Sequence, residues 1–503
     1  MRHLLPFLLL LSCLATFLPG CEPKEELVQT SGSLTLKQDT VLFDTVFTTV
    51  RTVTKRYWVY NENRGAVRTD ISLAGDAGAT YSLIINGDNG PSASNVLIRG
   101  NDSLQILVRA TLGATNVDTA FVVSDRLRFV TNGREQTARL VAYGQNAYFH
   151  RGVLNCNEIW RNDKPHVLLS SVLVPPGCAL NILPGTQVYL HAGVGIIVQG
   201  RLLINQTFRP GTGLTDTIKA NDPNIVRFRG DRREAEYNDV PGQWAGILID
   251  SCSRGNVIRY TEIKNATFGL LLRNPGNNAA QPPSVTLENS VLRNISGSQL
   301  SFSNQQSGTG GGIISLSGQV AATNCLFTNC GEYAVLGLGG GTFDLNFCTI
   351  ANYTPSFRRE TASLTFTNEL ANGSRAKAPL RVTLRNSILW GSIEDELFLE
   401  NNADPNYVVD IRNSLLRTKE YAATADAAGK PGLAAPTRGN LVNQDPKFRA
   451  TPFTPGKKPD YSLDAGSPAL DRPNPYLSVP LRDLRNLPRS PATPDLGAYE
   501  RGQ

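Results

Sequence analysis

Long hydrophobic runs are nearly absent from this 503-residue chain. The one that stands out, Leu4–Leu18, has fifteen residues, too few to span a bilayer. Clustered positive charge is missing as well. The net charge is +6, and the densest basic runs, Arg227–Arg233 and Arg482–Arg489, also contain Asp. Removing residues 1–20 takes away Arg2 and leaves +5. Charge this dilute excludes a nucleic-acid footprint. Lysine is scarce, so that 37 of the 49 basic residues are Arg, and methionine occurs only at position 1. No cysteine pair has zinc-ligand spacing: Cys325 and Cys330 are separated by four residues with no His nearby. No metal and no cofactor is therefore expected. What is abundant is turn chemistry, with 45 Gly, 30 Pro and 40 Asn and no collagen-like period. Two or three all-β domains are the expectation at this length.

The first residues read as an address. Arg2 and His3 precede the apolar run, which ends Leu18-Pro19-Gly20-Cys21. This resembles the lipobox of bacterial lipoproteins, with cleavage before Cys21 and acylation of its thiol; the alternative is an ordinary secretory signal. Two or three acyl chains, at about 0.8 kcal/mol per buried CH₂, would make attachment effectively permanent. The tract Glu22-Pro23-Lys24-Glu25-Glu26 is similar to export signals that send some Gram-negative lipoproteins to the outer cell surface, and a solvated tether would look the same. The expected location is the outer membrane, lipid-anchored and facing outward. Cys156 and Cys178, 22 residues apart, bracket two strand-like runs. A disulfide between them would contribute about 3 kcal/mol by loop closure.

The chain then divides into residues 1–20 as signal peptide, 21–38 as tether, and three folded parts. Residues 39–149 alternate in short apolar–polar runs, such as Arg56-Tyr57-Trp58-Val59-Tyr60 and Leu104-Gln105-Ile106-Leu107-Val108, with Asn/Gly turns between them. That pattern predicts an antiparallel sandwich. It resembles the Ig-like modules that precede larger domains in bacterial surface proteins, without their disulfide.

Residues 150–440 carry a repeat. Six octapeptides align without gaps, beginning at Ile258, Leu287, Ala322, Leu345, Leu384 and Ile411. Their fourth residues, Thr261, Ser290, Cys325, Cys348, Ser387 and Ser414, recur at spacings of 29, 35, 23, 39 and 27. The residue before each is Asn in four of six copies. The apolar phase slips by one residue around that position, which predicts a bend with one residue in the left-handed region, a conformation Asn tolerates. Stacked coils would place Asn on Asn at about 4.8 Å. The repeat resembles the right-handed parallel β-helix family, and implies a solenoid of on the order of a dozen coils. A β-propeller is the alternative, but a spacing of 23 residues is too short for a blade.

Residues 441–503 end in Ser467-Pro468-Ala469-Leu470-Asp471, Asp483 to Arg489, and Asp495-Leu496-Gly497-Ala498-Tyr499-Glu500. This is similar to the C-terminal element of secreted bacterial β-helix proteins, with Asn486 where Gly is usual. It implies a strap, pinned by Asp483 and Arg489, that caps the exposed last coil.

The β-helix resemblance raises enzymatic function. The pectin-hydrolase members of that fold carry Asp-Asp and Gly-His-Gly, and this chain has neither. Acids within the repeats are scattered singly (Asp250, Glu262, Glu288, Asp344), so no catalytic residue is assigned. Of the histidines, His191 reads as structural. The best candidate for a ligand-binding loop runs from Arg227 to Trp244 and offers Arg229, Asp231, Arg232, Arg233, Tyr237, Asp239 and Trp244. Tyr237 and Trp244 would be stacking faces and the arginines would meet anionic sugars; the alternative is a corner with Trp244 in the core. A second loop, Tyr353–Leu380, holds Arg358, Arg359 and Glu360. The expected function is a non-catalytic, surface-anchored binding or structural module for a polysaccharide or surface-protein partner. The alternative is a polysaccharide lyase or glycoside hydrolase acting on acidic polysaccharide.

Overall fold

The computed structural model describes residues 27–48, 54–75, 80–115, 120–211, 222–276, 279–302, 306–356, 358–369, 377–400, 404–475 and 479–501. Cys21, with the expected signal and lipobox, lies outside the described residues. Two compact units are present, meeting in sequence at Asn146/Ala147. Among the described residues there is no α-helix.

The first unit contains two five-stranded sheets. Alternation drives them: in Lys55–Asn61, Tyr57 and Val59 are buried while Arg56 and Trp58 face out. Inner residues of both sheets, among them Tyr57, Leu83, Ile106, Phe43, Leu127 and Phe129, form one core. Thr40–Phe47 pairs in parallel with Arg134–Gln145, whereas the other ladders are antiparallel.

The second unit is a solenoid of parallel strands with three faces. Strand His166–Val174 turns a corner between the first two: residues 166–168 pair with 188–190 and residues 172–174 with 196–198. The third face is a nine-stranded sheet. That is fewer rungs than a dozen, because loops lengthen some coils; Ile204 pairs directly with Ile258. The six octapeptides stand in column. Ile258, Leu287, Ala322, Leu345, Leu384 and Ile411 occupy one register, continued upward by Ile204, Ile182 and Trp160. All nine are at most 1% exposed. Each fully buried aliphatic of this kind contributes about 1.5–3 kcal/mol.

The bend follows from backbone sterics. Tyr260, Asn289, Asn324, Phe347, Asn386 and Asn413 have φ of 45°, 49°, 53°, 51°, 49° and 46°, so the left-handed residue recurs in every copy. The small residue after it fits inside the corner. The Ser290, Ser387 and Ser414 hydroxyls donate to the carbonyl two residues back at 2.9, 2.7 and 2.9 Å. The Asn column is self-bonded at one step, Asn413 to Asn386, and Asn386 then turns to Asn346, the residue before the Phe347 corner. Asn413 Nδ2 donates to Asn386 Oδ1 at 2.6 Å, and Asn386 Nδ2 to Asn346 Oδ1 at 2.9 Å. Asn289 and Asn324 instead donate to the carbonyls of Asp483 and Arg482, at 2.8 and 2.7 Å.

Those last bonds relocate the C-terminal cap. The strap runs along the flank of the coils rather than over the last one. Gly497 N–H donates to Asn386 O and Ala498 N–H to Thr349 Oγ1, both at 2.8 Å. Arg489 donates to Asn324 Oδ1 (3.0 Å) and Gly497 O (2.8 Å) and lies 4.4 Å from the Phe347 ring centre. Asn486 adopts φ 65°, so it performs the turn expected of Gly. The core of the last coils is completed by the segment after Leu416, whose Tyr421 and Leu433 are buried in the solenoid core. The Tyr421 hydroxyl accepts from Leu399 N–H at 2.9 Å and donates to Leu399 O at 2.8 Å. Cys156 and Cys178 form a disulfide at the opposite end of the solenoid, with Cα atoms 4.8 Å apart.

Candidate ligand-binding face

Residues that alternate with the inward column point outward. On the first face this places Tyr189 beside Arg229 and Lys264 beside Arg293. Phe228 pairs with Ile263, so Lys264 stands on the rung next to Arg229. The outcome is a ladder of Tyr189, Arg229, Lys264 and Arg293 at a rung spacing of about 4.8 Å. A second column alongside it holds Arg227 paired with Glu262.

Acids offset part of this charge. Glu262, 4% exposed, lies between Arg227 Nε at 3.5 Å and Arg293 at 2.6 Å. Asp239 reaches Lys264 Nζ at 3.1 Å and accepts from Asn294 Nδ2 at 3.0 Å. Burial, reinforced by Arg293, pushes the Lys264 ammonium below its ordinary range despite these carboxylates. Burial opposes ionisation of Asp239, but Lys264 and Arg293 prevail and hold its carboxyl below the usual range.

The loop from Asp231 to Gln243 walls this ladder. Asn265 Nδ2 donates to Asn238 O at 2.9 Å and fastens it to the corner. Gly230 makes room for it, since a Cβ there would lie 2.2 Å from Gln243 Oε1. Arg232 pairs with Glu234 at 3.1 Å and stands 3.9 Å from the Tyr237 ring centre. Arg229 and Arg233 both approach Tyr189, at 5.3 and 5.2 Å. Arg229 also donates to Gln187 Oε1 at 2.5 Å, while its Nε is buried without a hydrogen-bond partner. Asp231 Oδ2 holds His191 Nδ1 at 2.6 Å, and the His191 side chain is 55% exposed.

The loop residues read from the sequence therefore split. Arg229, Asp231, Arg233 and Asp239 converge with Tyr189, Lys264 and Arg293, while Arg232 and Tyr237 stack on each other. Trp244 is corrected: it is fully buried, donates its indole N–H to Lys264 O at 2.8 Å, and stacks 6.4 Å from Phe228. It packs inside the corner and offers no face to a ligand. In the second loop, Arg359 is buried against Glu396 at 2.7 Å with neither side chain exposed, a structural pair; Arg358 and Glu360 are at the surface. Sequence reasoning missed Tyr189, Lys264 and Arg293, and it read as structural His191, which is half-exposed beside Asp231. The signal lay in the seventh octapeptide position, where Lys264 and Arg293 align.

Among the described residues no group of three or more His, Cys, Asp or Glu is placed to hold a metal ion. Chemically, the face can accept a carboxylate or sulfate between the arginines, which the buried Tyr189 ring supports from below. His191 is held through Nδ1 by Asp231, with its side chain 55% exposed.

No family model and no curated protein matches the chain. A PapD-like domain of human CEP192 is similar with a TM-score of 0.17 and 10% identity, over 24% of this chain and 87% of that chain. A family 123 glycoside hydrolase from Clostridium perfringens, solved in a study of glycolipid glycan hydrolysis, gives a TM-score of 0.16 and 9% identity over 25% of this chain; the match spans 26% of the enzyme. Likenesses of this size carry no assignment of fold or function.

Proposed function

We propose that this protein is a surface lipoprotein of the right-handed parallel β-helix type, anchored through Cys21, whose solenoid binds acidic polysaccharide on its first face. The observation that carries the reading is the pair Arg229 and Arg233 closing on one Tyr189 ring, continued along the rungs by Lys264 and Arg293. A repeating anionic polymer suits a repeating cationic ladder, and the buried Tyr189 ring fixes the two guanidinium groups in place beneath it. The first unit is then an Ig-like spacer; its two sheets with one core and the parallel pairing of Thr40–Phe47 support that reading. The test is a titration of the chain from residue 22 with polygalacturonate and with dextran. Saturable binding of polygalacturonate alone is expected, weakened at least about tenfold by the double variant Arg229→Ala/Arg233→Ala at unchanged melting temperature. Equal binding of dextran, or no binding of either, would overturn the reading.

A second reading is favoured by one contact, His191 to Asp231 at 2.6 Å beside the arginines. It makes the face a uronate lyase. His191 Nε2 takes the proton α to a carboxylate that the arginines neutralise, the electrons form a ring double bond as the glycosidic C–O bond breaks, and the leaving oxygen takes a proton from water. Appearance of ultraviolet-absorbing unsaturated product, abolished in His191→Ala, would establish it. Binding without product retains the non-catalytic reading.

A further inference from the structure

A concavity lies on a different face. On the second face the outward ladder Leu248, Leu271, Ile314, Leu336 is apolar. It is also covered, with Leu271 and Ile314 2% and Leu336 6% exposed. Thr365 and Phe398 continue the same register. There the cover ends: Phe398 is 49% exposed. Beside it opens a cavity of about 540 Å³, walled by Tyr333 and Phe398, with Thr365 inside and Glu360, Asp395 and Glu420 among its lining. No Lys, Arg or His is among the described residues that line it.

The chemistry of this cavity is the reverse of the basic face. Burial resists ionisation of Asp395, but the N–H groups of Glu420 and Lys419, at 2.8 and 2.6 Å, and the Thr418 hydroxyl at 3.1 Å hold its carboxyl below the ordinary range. Glu420 leans on Lys430 at the surface, and Glu360 stands 3.7 Å from Arg358 in solvent. A wholly apolar guest would strip water from these carboxylates without replacing its hydrogen bonds. A uronate would find no cation among the described lining residues to meet its carboxylate. A flat ring with C–H groups on one face and O–H or N⁺–H donors on its edge satisfies both the aromatic wall and the acceptors. Cavities of about 300–1,000 Å³ are the usual size for small-ligand sites, so there is room for a sugar ring.

We propose that the cavity beside Phe398 binds a pyranose unit bearing hydroxyl or ammonium donors and no carboxylate. The inference is independent of the basic face, and a chain that binds no acidic polysaccharide can still pass its test. The experiment is ligand-observed saturation-transfer NMR on the chain from residue 22 with glucosamine, glucose and glucuronate as probes. Glucosamine and glucose are expected to bind, glucosamine more tightly. Phe398→Ala, at a half-exposed position that leaves the melting temperature in place, weakens both about tenfold. Glu360→Gln/Glu420→Gln removes the preference for glucosamine while glucose binding remains. Failure of both sugars to bind, binding indifferent to Phe398→Ala, or a glucuronate signal that Phe398→Ala removes would overturn the proposal.

Discussion

A left-handed backbone costs an ordinary L-residue about 1–2 kcal/mol. The corner positions absorb that strain with Asn, and Asn386 adds hydrogen bonds to Asn346 and Asn413. Asn386→Ala is expected to lower unfolding free energy by about 2–3 kcal/mol and Asn386→Gly by roughly half of that, read by denaturant melts; equal losses would mean that the backbone strain is unimportant. Histidines at the first rungs make a second case. His166 Nε2 lies 2.9 Å from Arg161 O and must donate, so its Nδ1 accepts from His150 Nε2 at 2.8 Å. His150 Nδ1 faces Glu158 at 3.3 Å, and Tyr148, bonded to Asp163, packs on the His166 ring. Burial pushes the His166 pKa down to about 4, with the neighbouring His150 adding to the effect. Burial also lowers His150, against the pull of Glu158. The folded state thus prefers neutral imidazole more than the unfolded chain does. Stability is fully present above the unfolded value of about 6.5 and is lost as pH falls from there towards the folded values. Denaturant melts at several pH values should show that decline, flattened in His166→Gln; a parallel decline in the variant would place its origin elsewhere.

At the scale of elements, the strap is held by one buried cation. Arg489 bonds Glu500, Asn324, and the carbonyls of Asp495 and Gly497. Arg489→Ala would leave buried carboxylates uncompensated, a loss of about 3–5 kcal/mol. Limited proteolysis should then release residues beyond 441 first; unchanged protection would show that apolar packing suffices. Gly391 gives a contrary test of the repeat. Its counterparts Asn265, Asn294, Asn329 and Asn352 invite Gly391→Asn, yet a Cβ there would lie 2.1 Å from Glu396 Oε1. That substitution is expected to lower the melting temperature, and a gain would contradict the packing described. The octapeptide columns were legible because bend, small residue and apolar slip are local to eight residues. The course of the strap was not, because Asn289 and Asn324 look identical to the self-stacking Asn413 until their partners, 194 and 158 residues away in sequence, are known. Trp244 misled for a related reason: Pro241-Gly242 marks a turn, but Trp244, two residues later, already bridges Ala266 and faces inward.

For the whole molecule, function follows from which outward columns the coils align. Tyr189 and Arg229 come from coils outside the octapeptide copies, and Lys264 and Arg293 from within them, so only the fold joins them. The resulting face carries more cations than acids, and its attraction for a polyanion should weaken as salt shortens the Debye length from about 10 Å at 0.1 M to about 3 Å at 1 M. Backbone hydrogen exchange of the chain from residue 22, with and without an oligogalacturonate, tests where that attraction resides. Protection concentrated in residues 187–191, 227–239, 262–264 and 291–293 is the predicted result. Protection confined to residues 40–145, or spread evenly over the coils, would contradict it.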